Sequence, residues 1–456
     1  MNKNKFNTLN ISEKTIKNLD SLGFEFMTPI QEKSLPYILE KKDVIAQAKT
    51  GSGKTVSFGL GVLHNLDTSR FRIQTLVLCP TRELAGQVAA TLKNLVRAEH
   101  NIKILTLTGG VPHKPQVHSL SHQAHILVGT PGRILKHLKE ENFSADEINT
   151  LVLDEADRML DMGFSEDINL IINHLPKKRQ TMLFSATYPS TIETLSKSIL
   201  NDPIKIEVES THNENIIAQK FYQVNAHEKT SLIMKIFKKT DKSVIIFCNT
   251  KVQCDELADS LEAADIEPLV LHSDLDQKDR DETLILFSNK SYPVLIATDV
   301  ASRGLDIEDV DLVINYDIPF DFEVYTHRIG RTARAGKNGL AVSFVDNITH
   351  FEDLKEYFDK DFALSSTKEI RDNDDVVLSY EFSTLYINGG KRHKLRAGDI
   401  LGALTAGIGL DKNDIGKINI LPTCSYVAIK NDVYKKAYEG LLSNKMKNKY
   451  YKVYKR

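Results

Sequence analysis

Long apolar runs are missing from this sequence. No stretch approaches the roughly 18 residues of a membrane-spanning helix, so no membrane partner is expected. The start, MNKNKFNTLNISEK, has lysines but no apolar segment, so it does not read as a secretory signal. Cysteine is scarce: Cys79, Cys248, Cys254 and Cys424, with no C-x-x-C pair. Cys79 and Cys248 sit in apolar runs and read as buried thiols. A reduced, cytoplasmic protein is the expectation. Net charge is also nearly absent, at −2. That sum alone says nothing about nucleic acid, but its distribution does. From Val376 to Arg456 there are 15 Lys and Arg against 6 Asp and Glu, leaving 44 basic and 55 acidic residues in the remainder. A basic tail on an acidic body points to a polyanion as the partner of the tail.

What is present is enough chain for about three domains: 456 residues, 41% of them apolar. One stretch organises the rest. Val44-Ile45-Ala46 leads into a turn, Ala48-Lys49-Thr50-Gly51-Ser52-Gly53, and then into Lys54-Thr55 and an amphipathic segment. Strand, Gly-rich loop and helix in that order make a phosphate-binding loop. Small residues let backbone N–H groups approach phosphate oxygens, at the positive end of a helix. Lys54 would reach the β- and γ-phosphates, and the Thr55 hydroxyl would ligate Mg²⁺. The general pattern has Gly where this chain has Ala48.

The first part of the chain, residues 1–208, alternates strand-like runs with helical patterns. TLVLCPT, KILTLTG, HILVGT, LVLDEAD and TMLFSAT are the runs. This rhythm predicts a parallel α/β sheet whose ligand loops gather at the carboxyl ends of the strands. At one such end stands Asp154-Glu155-Ala156-Asp157. Opposite a phosphate loop, Asp154 is placed to hold Mg²⁺ and Glu155 to deprotonate an attacking water. Four histidines, His113, His118, His122 and His125, crowd one segment. His118 and His122 are spaced i,i+4, but no Cys or carboxylate lies between them, so the expectation is a solvated segment rather than a metal site.

These letters, in this order, resemble the DEAD-box RNA helicases from about Phe6 to Gly336. The variant A-x-T-G-S-G-K-T of the loop is similar to theirs. The resemblance implies two RecA-like domains in tandem that share one ATP, with the following roles. Phe6, Phe24 and Gln31 belong to the adenine-reading motif, with Phe6 packing on the base. Pro80, Thr81, Arg82, Gly110, Thr130 and Arg133 contact the RNA backbone. Asp157, Ser185, Thr187 and His327 couple hydrolysis to strand separation. In the second domain, residues 209–364, Thr298 contacts RNA and Asp306 the ribose. Arg331 and Arg334 stabilise charge on the γ-phosphoryl. Two positions depart from the family pattern: Ala333 and Ser273 stand where it has Gly.

Residues 365–375 read as a polar linker. Residues 376–456 then give strand, helix, two strands, helix, strand, the βαββαβ order of RNA-recognition domains. The segment from Gly389 to Gly402, with Ile415-Gly416-Lys417-Ile418, closely resembles the RNA-binding domain of the DbpA family of bacterial helicases. The resemblance implies binding of a large-subunit (23S) ribosomal RNA hairpin, in a pre-ribosomal particle, by a monomer acting in ribosome biogenesis. The standard aromatic stacking signature is absent. Lys391, Arg392, Lys394 and Arg396 are therefore the expected RNA contacts. The rival readings are an RNA clamp with little turnover, a general mRNA or cold-shock helicase, and a DNA helicase.

Overall fold

A computed structural model of the chain describes residues 4–48, 51–99, 101–208, 217–237, 243–299, 310–332, 339–367 and 380–456. The described residues up to 208 form one compact unit and those from 217 onward another.

The first unit is a seven-stranded parallel sheet. Its strands are β1 (Val44–Gln47), β2 (Thr75–Leu78), β3 (Ile104–Leu107), β4 (Ile126–Gly129), β5 (Thr150–Leu153), β6 (Gln180–Ser185) and β7 (Ile204–Glu207), in the order β3-β4-β2-β5-β6-β1-β7. Strands β2, β4, β5 and β6 are buried along their whole length. They read as unbroken apolar runs because helices cover both faces. Alternate residues point to opposite faces. Ile45, Leu76, Leu78, Leu151 and Leu153 face one core, with α5 (His113–Ser121), α6 (Pro131–Lys139), α7 (Ala156–Asp161), α8 (Ser165–Asn173) and α9 (Ser190–Ile199). Val44, Ala46, Val77, Val152 and Phe184 face the other, with α2 (Pro29–Leu39), α3 (Lys54–Asn65) and α4 (Arg82–Leu95). A short N-terminal helix, α1 (Glu13–Ser21), is capped by Ser12, whose hydroxyl accepts from Thr15 N–H.

The second unit holds another seven-stranded parallel sheet: β8 (Ile217–Gln223), β9 (Val244–Cys248), β10 (Leu269–Leu271), β11 (Val294–Thr298), β12 (Leu312–Asn315), β13 (Gly339–Val345) and β14 (Leu364–Ser365). Helices α10 (Lys229–Phe237) and α11 (Lys251–Glu262) pack on one face, and α13 (Phe322–Ile329) and α14 (Ile348–Phe358) on the other. Between α11 and α13 lies α12 (Gln277–Ser288). The same unit contains a four-stranded antiparallel sheet: β15 (Phe382–Ile387), β16 (Ile415–Ile420), β17 (Ser425–Lys430) and β18 (Val453–Lys455), in the order β16-β17-β15-β18. Helices α15 (Ala397–Gly402) and α16 (Tyr434–Ser443) cover one of its faces through Leu385, Ile387, Val427 and Ile429. The predicted βαββαβ order is the order found.

All four cysteines are free and buried, and burial pushes the Cys79 thiol up. Among the described residues no helix is long and apolar enough to cross a membrane.

Candidate active site and RNA interface

The loop after β1 turns on glycine. Gly51 and Gly53 have φ of 79° and 93°. A Cβ on Gly53 would strike the Gln31 amide and lie 2.9 Å from Thr28 Oγ1, so no other residue fits. Gln31 itself is spent on holding the loop. Its Oε1 accepts from Thr28 N–H at 2.8 Å and its Nε2 donates to the Gly53 carbonyl at 3.1 Å. One lone pair and one hydrogen of the amide remain for a base edge.

Lys54 opens α3, is buried, and donates to the Ala48 carbonyl at 2.8 Å. Thr55 follows it, half-buried, and the Ser52 hydroxyl is enclosed without a hydrogen-bond partner. Lys49 and Thr50 lie outside the described residues. Phe6, only 2% exposed, packs among Leu19, Met27, Leu35, Val56 and Leu60. Phe24 borders the same cluster, partly buried.

Asp154 follows β5 directly. Burial pushes its carboxyl up to about 7, and the nearby Lys54 ammonium pulls it back. Glu155 adopts left-handed backbone, φ 51° and ψ 54°, at the start of α7. That costs a non-glycine residue about 1 kcal/mol or more. It turns the carboxylate so that Oε2 is enclosed without a hydrogen-bond partner, 3.6 Å from Arg158 Nε. A buried carboxylate oxygen left open in this way is suited to hold a water or take its proton.

Asp157 reaches β6 instead. Its Oδ2 accepts from Ala186 N–H at 3.0 Å, Thr187 N–H at 2.9 Å and Thr187 Oγ1 at 3.1 Å, while Ser185 Oγ accepts from Asp157 N–H at 3.3 Å. The acidic cluster and the Ser185–Thr187 turn are thus tied together by four hydrogen bonds.

The expected RNA contacts of this unit converge on two guanidinium groups. Thr81 caps α4, its hydroxyl accepting from Leu84 N–H at 3.2 Å, and Pro80 is buried beside it. Gly110 has φ 67°, and a Cβ there would overlap the Arg82 guanidinium, so the glycine cradles it. Thr130 caps α6, which brings in Arg133. Arg133 donates to Gln116 Oε1 at 3.0 Å and to the Val111 carbonyl at 3.3 Å. Burial, and then repulsion from Arg82, lowers its pKa. Two cations near enough to repel each other suit a phosphate between them.

The histidine segment needs correction. His118 and His122 are exposed and touch edge-on. His125, however, is fully buried and accepts from Lys103 N–H at 3.1 Å. His113 is half-buried and stacks on His137. The segment is tied down because Gln116 and Leu120, on the inner side of α5, enter the core.

In the second unit Thr298 ends β11, buried. Its neighbour Asp299 takes two hydrogen bonds from Arg328, at 2.7 and 2.6 Å. Arg328 is 1% exposed and also donates to the Asp317 carbonyl at 2.7 Å and to Asn249 Oδ1 at 2.8 Å. It is a structural clamp between strand ends, which the run of arginines in the sequence did not distinguish from its neighbours. His327, partly exposed, precedes it on α13, and Arg331, 8% exposed, follows the helix. Asp306, Ala333 and Arg334 lie outside the described residues, as do residues 368–375 of the expected linker. Ser273 is exposed beside His272, which pairs with Asp255 at 3.0 Å.

Lys391, Arg392, Lys394 and Arg396 are all exposed, around a buried Leu395. The loop is pinned from below: Lys391 N–H donates to the Leu421 carbonyl and Arg392 N–H to that of Pro422, both at 2.9 Å. Lys447 Nζ adds a further cation, on the Lys394 carbonyl at 2.7 Å. The face of the antiparallel sheet away from its helices is not open. Thr384 bonds Asn289 at 3.1 Å and Ser291 at 2.7 Å, Arg456 pairs with Glu282, and Tyr426 and Cys424 pack on Ile285. Tyr386 lies against Tyr426 at that face. The end of α12 therefore covers the surface on which bases would stack.

Comparison with known proteins agrees with this layout. Residues 28–195 match the DEAD/DEAH box helicase family, residues 228–336 the helicase conserved C-terminal domain, and residues 384–455 the DbpA RNA binding domain. The chain is 48% identical to the ATP-dependent RNA helicase DbpA of Escherichia coli (strain K12), over 97% of this chain and 98% of that protein. It is 38% identical to the DbpA of Bacillus subtilis (strain 168), over 93% and 94%. Among solved structures, S. cerevisiae Dbp5 bound to RNA and ADP BeF3 aligns with a TM-score of 0.73 at 30% identity, covering 80% of this chain and 96% of that one. The chain belongs to the DEAD-box ATP-dependent RNA helicases and, through its C-terminal RNA-binding domain, to their DbpA group.

Proposed function

We propose that this helicase remodels large-subunit (23S) ribosomal RNA during ribosome biogenesis, as a cytoplasmic monomer, and that its tail selects an rRNA hairpin in a pre-ribosomal particle. Its domains run 1–208, 209–364 and 376–456, with 365–375 as linker. The observation that supports the tail's role is the pinned, exposed loop Lys391–Arg396 on a domain whose stacking face is covered. Contacts from such a loop go to phosphates and to the shape of a folded RNA.

The residues of the phosphate loop fit Mg²⁺. They offer hard oxygen donors, and Asp154 is a carboxyl whose burial calls for a cation. Thr55 and Asp154 would hold the ion, which supplies charge neutralisation at the phosphates. Lys54 exchanges the Ala48 carbonyl for phosphate oxygens. Glu155 orients the attacking water and accepts its proton. Arg331 and Arg334 stabilise charge on the transferred phosphoryl. Asp157 passes the change to Ser185–Thr187, while Arg82, Gly110, Arg133 and Thr298 hold the RNA backbone. Gln31 reads the adenine edge with its remaining valences, so ATP is used in preference to GTP.

The test is hairpin affinity of the full chain against a variant with Lys391, Arg392, Lys394 and Arg396 replaced by Ala. The variant should lose its preference for the large-subunit hairpin over an arbitrary one and keep RNA-stimulated phosphate release at saturating RNA. Undiminished preference would place selectivity elsewhere.

A further inference from the structure

His113, His137 and Glu140 each offer one donor atom, and these atoms lie within 4.8 Å of one another. His137 and Glu140 stand at i,i+3 along α6 and its cap, and His113 opens α5. The exposed pair His118 and His122 is not part of the group.

The hydrogen bonds around His137 decide which of its nitrogens is open. Gln116 Nε2 donates to the Thr108 carbonyl at 3.0 Å, and Gln116 Oε1 accepts from Arg133 at 3.0 Å. The amide's orientation is therefore fixed, and its oxygen faces His137 Nε2 at 2.9 Å. Nε2 carries the proton, and Nδ1 keeps a lone pair. A histidine whose far N–H is held by an oxygen is how metal-binding imidazoles are oriented.

The other side of the ring meets Asn142. Its Nδ2 lies 3.1 Å from His137 Nδ1 and 2.9 Å from Glu140 Oε2, so one NH₂ group bridges two would-be ligands. His113 Nε2 stands 3.1 Å from the same carboxylate oxygen, enclosed and without an aligned hydrogen bond. The arrangement holds donor hydrogens where a cation would place its charge.

We propose that His113, through Nε2, His137, through Nδ1, and Glu140 form a zinc site on the first unit, with solvent at the fourth position. Two imidazoles and a carboxylate suit Zn²⁺ rather than Mg²⁺. Donors of a tetrahedral zinc lie about 3.3–3.6 Å apart, at bond lengths of about 2.0–2.2 Å. Closing to that spacing moves Glu140, which is exposed at the helix end, and turns the half-buried His113 ring out of its stack on His137, where the ring centroids lie 4.4 Å apart with 13° between the planes. The ion would displace the Asn142 amide and fasten the Val111–His113 segment to α6. The Val111 carbonyl and Gln116, both partners of Arg133, would then be held in place.

The test uses the full chain without nucleotide, with Zn²⁺ in equilibrium dialysis and Co²⁺ as a spectroscopic probe. One zinc per chain at micromolar concentration is expected, with intense visible bands from tetrahedral cobalt and a zinc-dependent rise in melting temperature. His113→Ala and Glu140→Gln should each lose all three signals. Asn142→Asp, which replaces the competing amide by an oxygen donor, should bind more tightly. Absence of saturable binding overturns the site. So does binding that persists in both His113→Ala and Glu140→Gln, which would place the ion elsewhere, for instance at Asp154 and Glu155. Weaker binding by Asn142→Asp contradicts the placement of the ion beside residue 142.

Discussion

The two parallel sheets have the same strand order. Substituting β8 for β1, β9 for β2 and so on turns β3-β4-β2-β5-β6-β1-β7 into β10-β11-β9-β12-β13-β8-β14. Each first strand leads to a helix that opens with a buried lysine, Lys54 in one and Lys229 in the other. Their surroundings differ. Lys54 leans on one neutral carbonyl beside Asp154. Lys229 donates to Asp317 at 2.7 Å and to Asp346 at 2.8 Å, residues that follow the strands equivalent to β5 and β6. Burial works against the Lys229 charge, but these two hydrogen bonds hold its pKa above the ordinary lysine value. One lysine hydrogen-bonds a neutral carbonyl, and the other is already neutralised by two carboxylates. The loops agree: Gly51-Ser52-Gly53 precedes the first lysine, whereas Asn225-Ala226-His227-Glu228, with no glycine, precedes the second. A repeated fold therefore does not imply a repeated site.

The comparison breaks most visibly at Glu155. Glu155→Gln keeps the shape of the carboxylate and removes its basicity. We predict a fall in RNA-stimulated phosphate release of about a hundred- to ten-thousandfold, with nucleotide binding retained. Turnover near the parent rate in a phosphate-release assay would remove Glu155 from the base role. In the second unit the matching change acts on stability instead. Lys229→Met leaves Asp317 facing a dry interior, while Asp346 is half-exposed. A loss of about 3 kcal/mol in denaturant unfolding is expected. An unchanged midpoint would mean that the triad contributes nothing. The smallest effect belongs to the RNA rim. Gly110→Ala strains the positive φ and pushes Arg82 aside, weakening RNA binding by about 1 kcal/mol, or roughly fivefold. A filter-binding titration that superimposes on the parent would show that Arg82 does not depend on the cradle.

Much of this was legible in the sequence for physical reasons. Strands such as Thr75–Leu78 and Thr150–Leu153 are buried on both faces, so their apolar runs stand out. Two of the edge strands, β7 and β14, did not. In β7 only Ile206 is buried, and β14 has two residues. Contiguous motifs were visible because loop chemistry is local. Pairs formed across the fold were not: Arg328 meets Asp299 29 residues away, and Lys229 meets Asp317 across 88. The same holds for the docking of β15 on α12, where Asn289 and Thr384 are 95 residues apart. That contact also changes the picture of the tail. Its charge pattern suggested a domain of its own, and nothing in that pattern showed that its sheet face is buried against the end of α12. The packing of Phe6 in a hydrophobic cluster was hidden for a related reason: an aromatic at that spacing reads the same whether it stacks on a base or fills a core.

The central claim, that the first sheet holds the nucleotide and the second has closed its equivalent position, is tested most directly by counting adenine nucleotides. A fluorescent ATP analogue would be titrated into the parent, Lys54→Ala and Lys229→Met, at a temperature where all three remain folded. The account predicts one nucleotide per parent chain, binding severely weakened in Lys54→Ala and retained in Lys229→Met. Two sites on the parent, undiminished binding in Lys54→Ala, or loss of binding in folded Lys229→Met would contradict it.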